Sequence, residues 1–335
     1  MDINVGVIGY GYWGPNLVRN LMETEGVVVM RCADLRPDRR ALVQRRYPTL
    51  TVTENADAIL DDPTVDAVVI TTPVSSHHAL AKHALERGKH VLVEKPLART
   101  TAEGEELIRL AEARELVLMV DHTFVYTGAV RKIKELLDSG ELGRLYYFDS
   151  VRVNLGIFAH DTDVLWDLAP HDLSILTHLI PKPPKYVSAV GIDHVGTGFA
   201  DMVYLTVHFE DSFLAHVHVN WLSPVKVRQI LIGGDRRMLV YDDTEPSEKV
   251  RVYDSGIKVT TQEGIYATLV DYRTGDMWAP KIELREALSV ECAHFVDCVR
   301  FRRVPVSSGP AGLMVVKLLE AASRSLAAKG RRTAV

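Results

Sequence analysis

Short apolar runs recur along the first third of the chain, each separated by room for one helix. "INVGVI", "VVVMRCA", "DAVVIT", "HVLV" and "LVLMVD" are rich in β-branched residues and lack the polar alternation of a half-wetted strand. They predict buried strands at 3–9, 27–33, 66–71, 90–93 and 116–121. Between them, apolar positions recur at helical spacing, as with Leu17, Val18 and Leu21, and predict helices over 14–23, 37–46, 76–87 and 101–113. Strands alternating with helices specify a parallel sheet covered on both faces. Ligands of such sheets bind at the carboxyl ends of the strands. The loops there read "GYGYWG", "DLRPD", "TTPVSSHH" and "EKPLART".

After about Asp121 the pattern changes. A helix near 128–139 is followed by "LYYFDSVRV" and a helix near 167–180. Then come "YVSAVGI", "DMVYLTVHF", "FLAHVHVNW", "VRQILIG", "RMLVYD" and "KVRVYD", whose alternation predicts strands of a mostly antiparallel sheet. Helices near 286–301 and 310–328 close the chain. The expected organisation is an α/β domain over 1–121, then an α+β domain over 122–335 with a large, mostly antiparallel open sheet. One face of that sheet leaves apolar and aromatic positions wet in a monomer, which predicts a homodimer or homotetramer.

Composition narrows the function classes. The 335 residues are 47% hydrophobic and 25% charged, as in ordinary soluble domains. A net charge of −5 argues against nucleic acid or an anionic membrane as partner. No apolar run reaches spanning length, and the first strand begins too early for a signal peptide, so a cytoplasmic location is expected. Cys32, Cys292 and Cys298 have no metal-type spacing. His216 and His218 share a strand face of the kind zinc uses, but no nearby cysteine or acid completes a site. A polar sheet face or subunit contact is the expected role, and no metal is expected.

Candidate chemistry begins at the first turn. Gly9, Gly11 and Gly14 form GxGxxG between a strand and a helix that opens on Pro15. The next strand ends at Asp34, twenty residues past Gly14, where dinucleotide folds place an acid for the ribose hydroxyls. Gly9 permits the turn, Gly11 the approach of the pyrophosphate, and Gly14 the packing of helix on strand. The alternative is a bare glycine turn. Asp34 repels a 2′-phosphate and favours NAD over NADP, although Arg36 lies close enough to soften that choice.

Lys95 ends a parallel strand in "HVLVEKPLA", where it can donate to a substrate hydroxyl or take up its proton. A surface turn is the plainer reading of Glu94-Lys95-Pro96 alone. In "VLWDLAPHDLSIL", Asp167 and His171 are four apart, and Pro170 is tolerated in a first helical turn. That geometry makes Asp167 the N-cap and sets His171 one turn in, where the helix dipole favours a neutral imidazole able to act as base. The alternative is a cap and a half-buried histidine with no chemistry. Arg152 and Asn154 alternate to one face of a strand. Trp221, Lys226 and Arg228 offer a ring for a sugar and two cations for a carboxylate or pyrophosphate, against a packed tryptophan and a solvated basic edge.

The combination of GxGxxG with its spaced acid, "TTPVSSH", "GKHVLVEKP" and Asp-x-x-x-His resembles the glucose–fructose oxidoreductase, inositol dehydrogenase and rhizopine catabolism (Gfo/Idh/MocA) family. The resemblance runs over most of the chain and implies a Rossmann NAD-binding domain followed by a substrate domain. By position it implies that Lys95 and His171 are catalytic and that Asp167 supports His171. Thr72, Pro73 and His77 match the loop beside the cofactor, and Glu94 lies on the nicotinamide side. Tyr12, Trp13, Leu35, Arg36 and His122 join the cofactor set, and Tyr126 joins the substrate set. The family often has a glycine two residues after the aspartate; here Ala169 and Pro170 follow, behind the lead "DTDVLW".

That departure, with "DHTFVYTGAV", "RVNLGIF", "VNWLSPVKVRQI" and "ECAHFVDCV", is similar to the nucleotide-sugar 3-dehydrogenases of surface-polysaccharide pathways, UDP-N-acetylglucosamine uronate 3-dehydrogenase among them. The implied reaction is hydride exchange between NAD and a sugar secondary alcohol, at C3 of a nucleotide sugar. An inositol or free-sugar dehydrogenase and a non-catalytic NAD sensor or scaffold are the alternatives.

Overall fold

Six parallel strands open the chain in the computed structural model, which describes residues 2–156, 162–259 and 270–335. They are β1 (Ile3–Ile8), β2 (Val27–Ala33), β3 (Thr51–Thr53), β4 (Ala67–Ile70), β5 (His90–Glu94) and β6 (Leu118–Asp121). Their order is β3-β2-β1-β4-β5-β6, which reverses direction between β1 and β4 and so opens a crevice at those carboxyl ends. Four intervening helices match the expected ones to within a residue: α1 (Gly14–Glu23), α2 (Pro37–Arg46), α4 (His77–Glu86) and α5 (Thr101–Ala113). The short α3 (Asp57–Leu60) and the strand β3 are additions. Both are brief, and "TVT" at a sheet edge carries too little apolar signal to stand out. Val5, Val7, Val68, Val69, Ile70, Val93 and Val120 are fully buried, as the continuous apolar runs require.

The chain divides into two compact units, Met1–Thr127 with Arg285–Lys317, and Gly128–Leu284 with Leu318–Val335. The first unit therefore extends slightly past the expected boundary and takes back residues assigned to the second domain. Packing explains the return. Cys292, Phe295 and Val296 of one late helix join the core around Leu17 and Leu21. The Val120 N–H donates to the Ser307 carbonyl at 2.8 Å, which adds backbone beside β6. A helical period reveals an apolar face, not which sheet it covers.

In the second unit, α6 (Gly128–Asp138) and β7 (Leu145–Leu155) precede α7 (Val164–Leu179). The strands that follow are β8 (Pro184–Ile192), β9 (Met202–Phe209), β10 (Leu214–Asn220), β11 (Leu222–Gly234), β12 (Met238–Asp242) and β13 (Val250–Tyr253). With β7 and the short β16 (Met277–Trp278) and β17 (Thr333–Ala334) they form a nine-stranded sheet, ordered β16-β13-β12-β11-β7-β10-β9-β8-β17. The β7–β10 pair is parallel and the other described pairs are antiparallel. Between β13 and β16, β14 (Gly256–Val259) and β15 (Val270–Arg273) form a separate hairpin. Inward Val203, Leu205, Val217 and Val219 are buried, while Tyr204, His216 and His218 alternate to the opposite face. α7 packs on this sheet.

α7 starts earlier than expected. Asp163, not Asp167, is its N-cap, and its carboxylate accepts the Trp166 N–H at 3.0 Å. Pro170 lies inside the helix, so the bond its missing N–H would make to the Trp166 carbonyl is lost. The apolar Val164 and Leu165, both buried, pull the extra turn onto the sheet and outweigh that loss. His171 consequently sits beyond the first turn, where the dipole has little hold on it. We expect Asp163→Ala to cost about 1 kcal/mol of stability and Asp163→Asn to retain most of it. Urea unfolding of the three proteins checks this.

Candidate active site

Candidate residues occur in both units. At the first turn Gly9 has φ +102°, and a Cβ there would stand 2.9 Å from the Thr71 backbone. A Cβ on Gly14 would stand 2.7 Å from the Gly9 carbonyl oxygen. Around Gly11 the space is open. Packing thus demands two of the glycines, and the third leaves bare backbone for a ligand to approach. The Thr71 hydroxyl donates to the Gly9 carbonyl at 2.7 Å and fixes the turn on β4. No side chain caps α1, and Pro15 has no N–H to satisfy.

Asp34 stands at the carboxyl end of β2. Its two oxygens accept the Tyr10 N–H at 2.6 Å and the Arg36 N–H at 2.8 Å, which orients the carboxylate. The Arg36 guanidinium turns to Asp38 at 2.7 Å in an exposed pair, a weak competitor for a ligand. Tyr12 and Leu35 are 89% and 84% exposed, an unusual outlay of apolar surface unless something covers it.

His77 has a different task from direct contact. It is buried, with ring nitrogens 2.9 Å from the Pro96 carbonyl and 2.8 Å from that of Thr72. Burial and the charge of Lys95 hold it below the ordinary histidine range, so the neutral ring has one proton to offer two carbonyls. It ties the Thr72–Pro73 loop to the residue after Lys95. Glu94 and Lys95 are half-buried at the end of β5, and the Lys95–Pro96 peptide is cis. Glu94 pairs in register with Asp121 of β6. Beside them His122 is buried, and neither ring nitrogen has a hydrogen-bond partner among the described residues. Burial, then Lys95, push its pKa down to about 3. The bare turn at Gly11, the oriented Asp34 and this orphaned imidazole fit a dinucleotide along the strand ends. Tyr126 does not fit the substrate role expected of it. Its ring is core, and its hydroxyl pairs with that of Ser307 at 2.9 Å.

In the second unit Asp167 and His171 lie one turn apart on α7, both half-buried. The Trp221 indole donates to the Asp167 carboxylate at 3.1 Å. Trp221 itself is 1% exposed, so it holds Asp167 and presents no face for a sugar to stack on. A Cβ on Gly156 would fall 2.3 Å from its ring. Arg152 is likewise committed inside. Its Nε and Nη2 donate to Asp172 at 2.6 and 3.2 Å, and Ser150 donates to the same carboxylate at 2.7 Å. A 3%-exposed guanidinium serves the fold beside His171, not an incoming phosphate. Arg228 pairs with Asp243 at 3.4 Å. Asn154, half-exposed, and Lys226, exposed where β11 breaks register with β7, remain the accessible substrate candidates. "RVNLGIF" runs past residue 156, and its last two positions lie outside the described residues.

Sequence reasoning did not single out Thr71, whose hydroxyl fixes the turn, or Asp121 and Glu291, two buried acids of the first unit. Glu291 did carry a signal, since it follows Leu288 and precedes Phe295 and Cys298 at helical spacing, an acid on an apolar stripe. Among the described residues no three metal-type side chains cluster, and no helix is long and apolar enough to cross a membrane.

Comparison with known proteins bears on both units. Residues 3–122 match a family described as an oxidoreductase family with an NAD-binding Rossmann fold, and 130–240 match the GFO/IDH/MocA C-terminal domain. The chain is 30% identical over 317 residues to UDP-N-acetylglucosamine 3-dehydrogenase of Acidithiobacillus ferrooxidans, covering 91% of this chain and 94% of that one. A solved structure of that enzyme superposes with TM-score 0.82 at 26% identity over 98% of each chain. Myo-inositol 2-dehydrogenase of Thermotoga maritima is 23% identical over 349 residues, 98% of this chain and 97% of its own. Levoglucosan dehydrogenase, solved with NADH and levoglucosan, shares the fold at TM-score 0.84, 21% identity and full coverage of both chains.

His122 sets an acid limit on the first unit. Its folded pKa of about 3 lies below the ordinary 6.5, so the unfolded chain binds the extra proton between them. Its contribution to stability is present above about pH 6.5 and is lost as pH falls towards about 3. Urea unfolding measured through this window is expected to show a shallower acid decline for His122→Gln than for the wild type. Equal slopes would remove His122 from the account.

Proposed function

We propose, from the premise that the chain belongs to the Gfo/Idh/MocA oxidoreductase family, that it exchanges a hydride between NAD and a ring hydroxyl of a nucleotide sugar, at C3 of a UDP-N-acetylglucosamine uronate type. The observation that carries this reading is the near full-length similarity to a UDP-N-acetylglucosamine 3-dehydrogenase. The nicotinamide, when bound, exchanges the hydride with the carbinol carbon. Lys95 donates to the alcohol oxygen as its charge develops. His171 takes the hydroxyl proton. Asp167, fixed by the Trp221 indole, orients His171 and offsets the positive charge it gains. Asp34 accepts from the ribose hydroxyls and disfavours a 2′-phosphate. Asn154 and Lys226 supply polar contacts to the nucleotide sugar. Buried free thiols at Cys32, Cys292 and Cys298 suit a reducing cytoplasm, where precursors of surface polysaccharides are made.

A second reading, a cyclitol or free-sugar dehydrogenase, is favoured by the full-length similarity to an inositol dehydrogenase. Heat-denaturation curves with UDP alone separate the two. The nucleotide-sugar reading requires UDP to raise the melting temperature, and no shift at millimolar UDP overturns it.

On the best substrate with saturating NAD, Lys95→Ala and His171→Ala should each lower turnover by about 10²–10⁴-fold while NAD binding persists. The His171→Ala loss should shrink as pH rises and hydroxide substitutes for the base. Near-full activity of both folded variants would end this assignment.

The outer sheet face around Tyr204, Val190 and Ile192, with Tyr204 stacked 4.2 Å from His218, is the surface we assign to a dimer or tetramer contact. Light scattering at micromolar concentration should give a multiple of the 37.3 kDa chain mass, and a stable monomer would refute it.

A further inference from the structure

Glu291, on the helix Ala287–Phe301, has no part in the chemistry above. It is 0% exposed in the first unit, and neither carboxyl oxygen has a hydrogen-bond partner of good geometry among the described residues; the Thr123 hydroxyl, which donates to Asp121, lies near enough to offset the effect of burial on it only in small part. What lies against it is a second acid, Asp121, itself buried. Asp121 is the better served of the two. It accepts the Trp13 indole N–H at 2.6 Å and the Thr123 hydroxyl at 2.5 Å. Glu94 adds a third carboxyl to the neighbourhood, and Tyr126 and Cys292 are further titratable groups that feel Glu291.

Two adjoining carboxylates in a dry core do not both keep their charge. Asp121 accepts two donated hydrogen bonds and Glu291 none of good geometry, so Glu291 is the carboxyl that keeps a proton. Burial, then Asp121, hold Glu291 well above the ordinary carboxyl range. The neutral acid has one O–H, and Asp121 is the acceptor beside it. Asp121 then gathers three donors, from β6's own exit, from the late helix and from the glycine turn.

We propose that Glu291 is a positioning residue for the cofactor turn, bracing the Asp121 carboxylate that holds Trp13 between Gly11 and Gly14. A helix near the end of the chain thereby sets the shape of a turn near its start. The inference depends on the NAD cofactor and not on the sugar substrate proposed above, so it is tested without substrate.

The test is calorimetric titration of NAD into the folded full-length chain and its variants. Glu291→Gln keeps a donor towards Asp121 and should bind NAD within about threefold of wild type. Glu291→Ala should weaken binding about tenfold or more, the scale of a lost charge-assisted hydrogen bond. Trp13→Phe should do the same, and the double variant should be no weaker than the weaker single, because both break one chain of contacts. Wild-type affinity should also fall as pH rises and Glu291 ionises, whereas Glu291→Gln and Trp13→Phe should be flat. A purely structural Glu291 would give losses that add in the double variant and a pH profile untouched by Trp13→Phe. Either result, or wild-type affinity in Glu291→Ala, overturns the proposal. Should Glu291→Ala fail to fold, the pH profiles of wild type, Glu291→Gln and Trp13→Phe decide alone.

Discussion

Gly9, Gly14 and Thr71 meet at the carboxyl ends of β1 and β4, and neither glycine has room for a side chain. The Gly9 carbonyl accepts from Thr71, and a Cβ on either glycine would collide with backbone. This close approach brings the start of α1 against the strand ends, which gives the turn a bare outer edge at Gly11. Two features that fit a dinucleotide are held to the turn itself, Asp34 through the Tyr10 N–H and Trp13 through Asp121, while His77 ties the Thr72–Pro73 loop to Pro96. The turn is a packing solution first, and its openness to a ligand follows from it.

The second unit uses another device. Asp167 and His171 lie on the first turns of α7, where a proline already removes one helical bond. The Arg152–Asp172 pair beneath them and the Trp221–Asp167 bond beside them are fixed, buried contacts. Burying such an ion pair contributes little net stability, and removing one partner costs several kcal/mol. Such a pair constrains orientation, and the residue it adjoins is His171.

The alternation of strand and helix in the first unit was legible because buried parallel strands are continuous apolar runs and their helices keep a 3.6-residue period. The tight turn at Gly9–Gly14 was legible because glycine spacing is imposed by local packing, and the position of Asp34 at a strand end because one helix and one strand separate it from that turn. Arg152, Trp221 and Tyr126 were legible as polar-tipped side chains but not as to purpose. Whether a guanidinium meets a ligand or a buried Asp172 depends on a partner twenty residues away, and whether a tryptophan stacks or braces depends on what covers it. The start of α7 was misplaced because Asp163 and Asp167 are both plausible caps, and the choice was made by the burial of Val164 and Leu165. The return of residues 285–317 had no local sign at all.

That return has a consequence for how the chain is made. A ribosome delivers the N-terminus first. The first 127 residues emerge with all six parallel strands but without Cys292, Phe295 and Val296, which complete their core. The whole intervening part of the second unit is synthesised before those side chains arrive. The nascent nucleotide-binding sheet must therefore wait with one flank uncovered, and the acid that neighbours Asp121 comes with the segment that covers it.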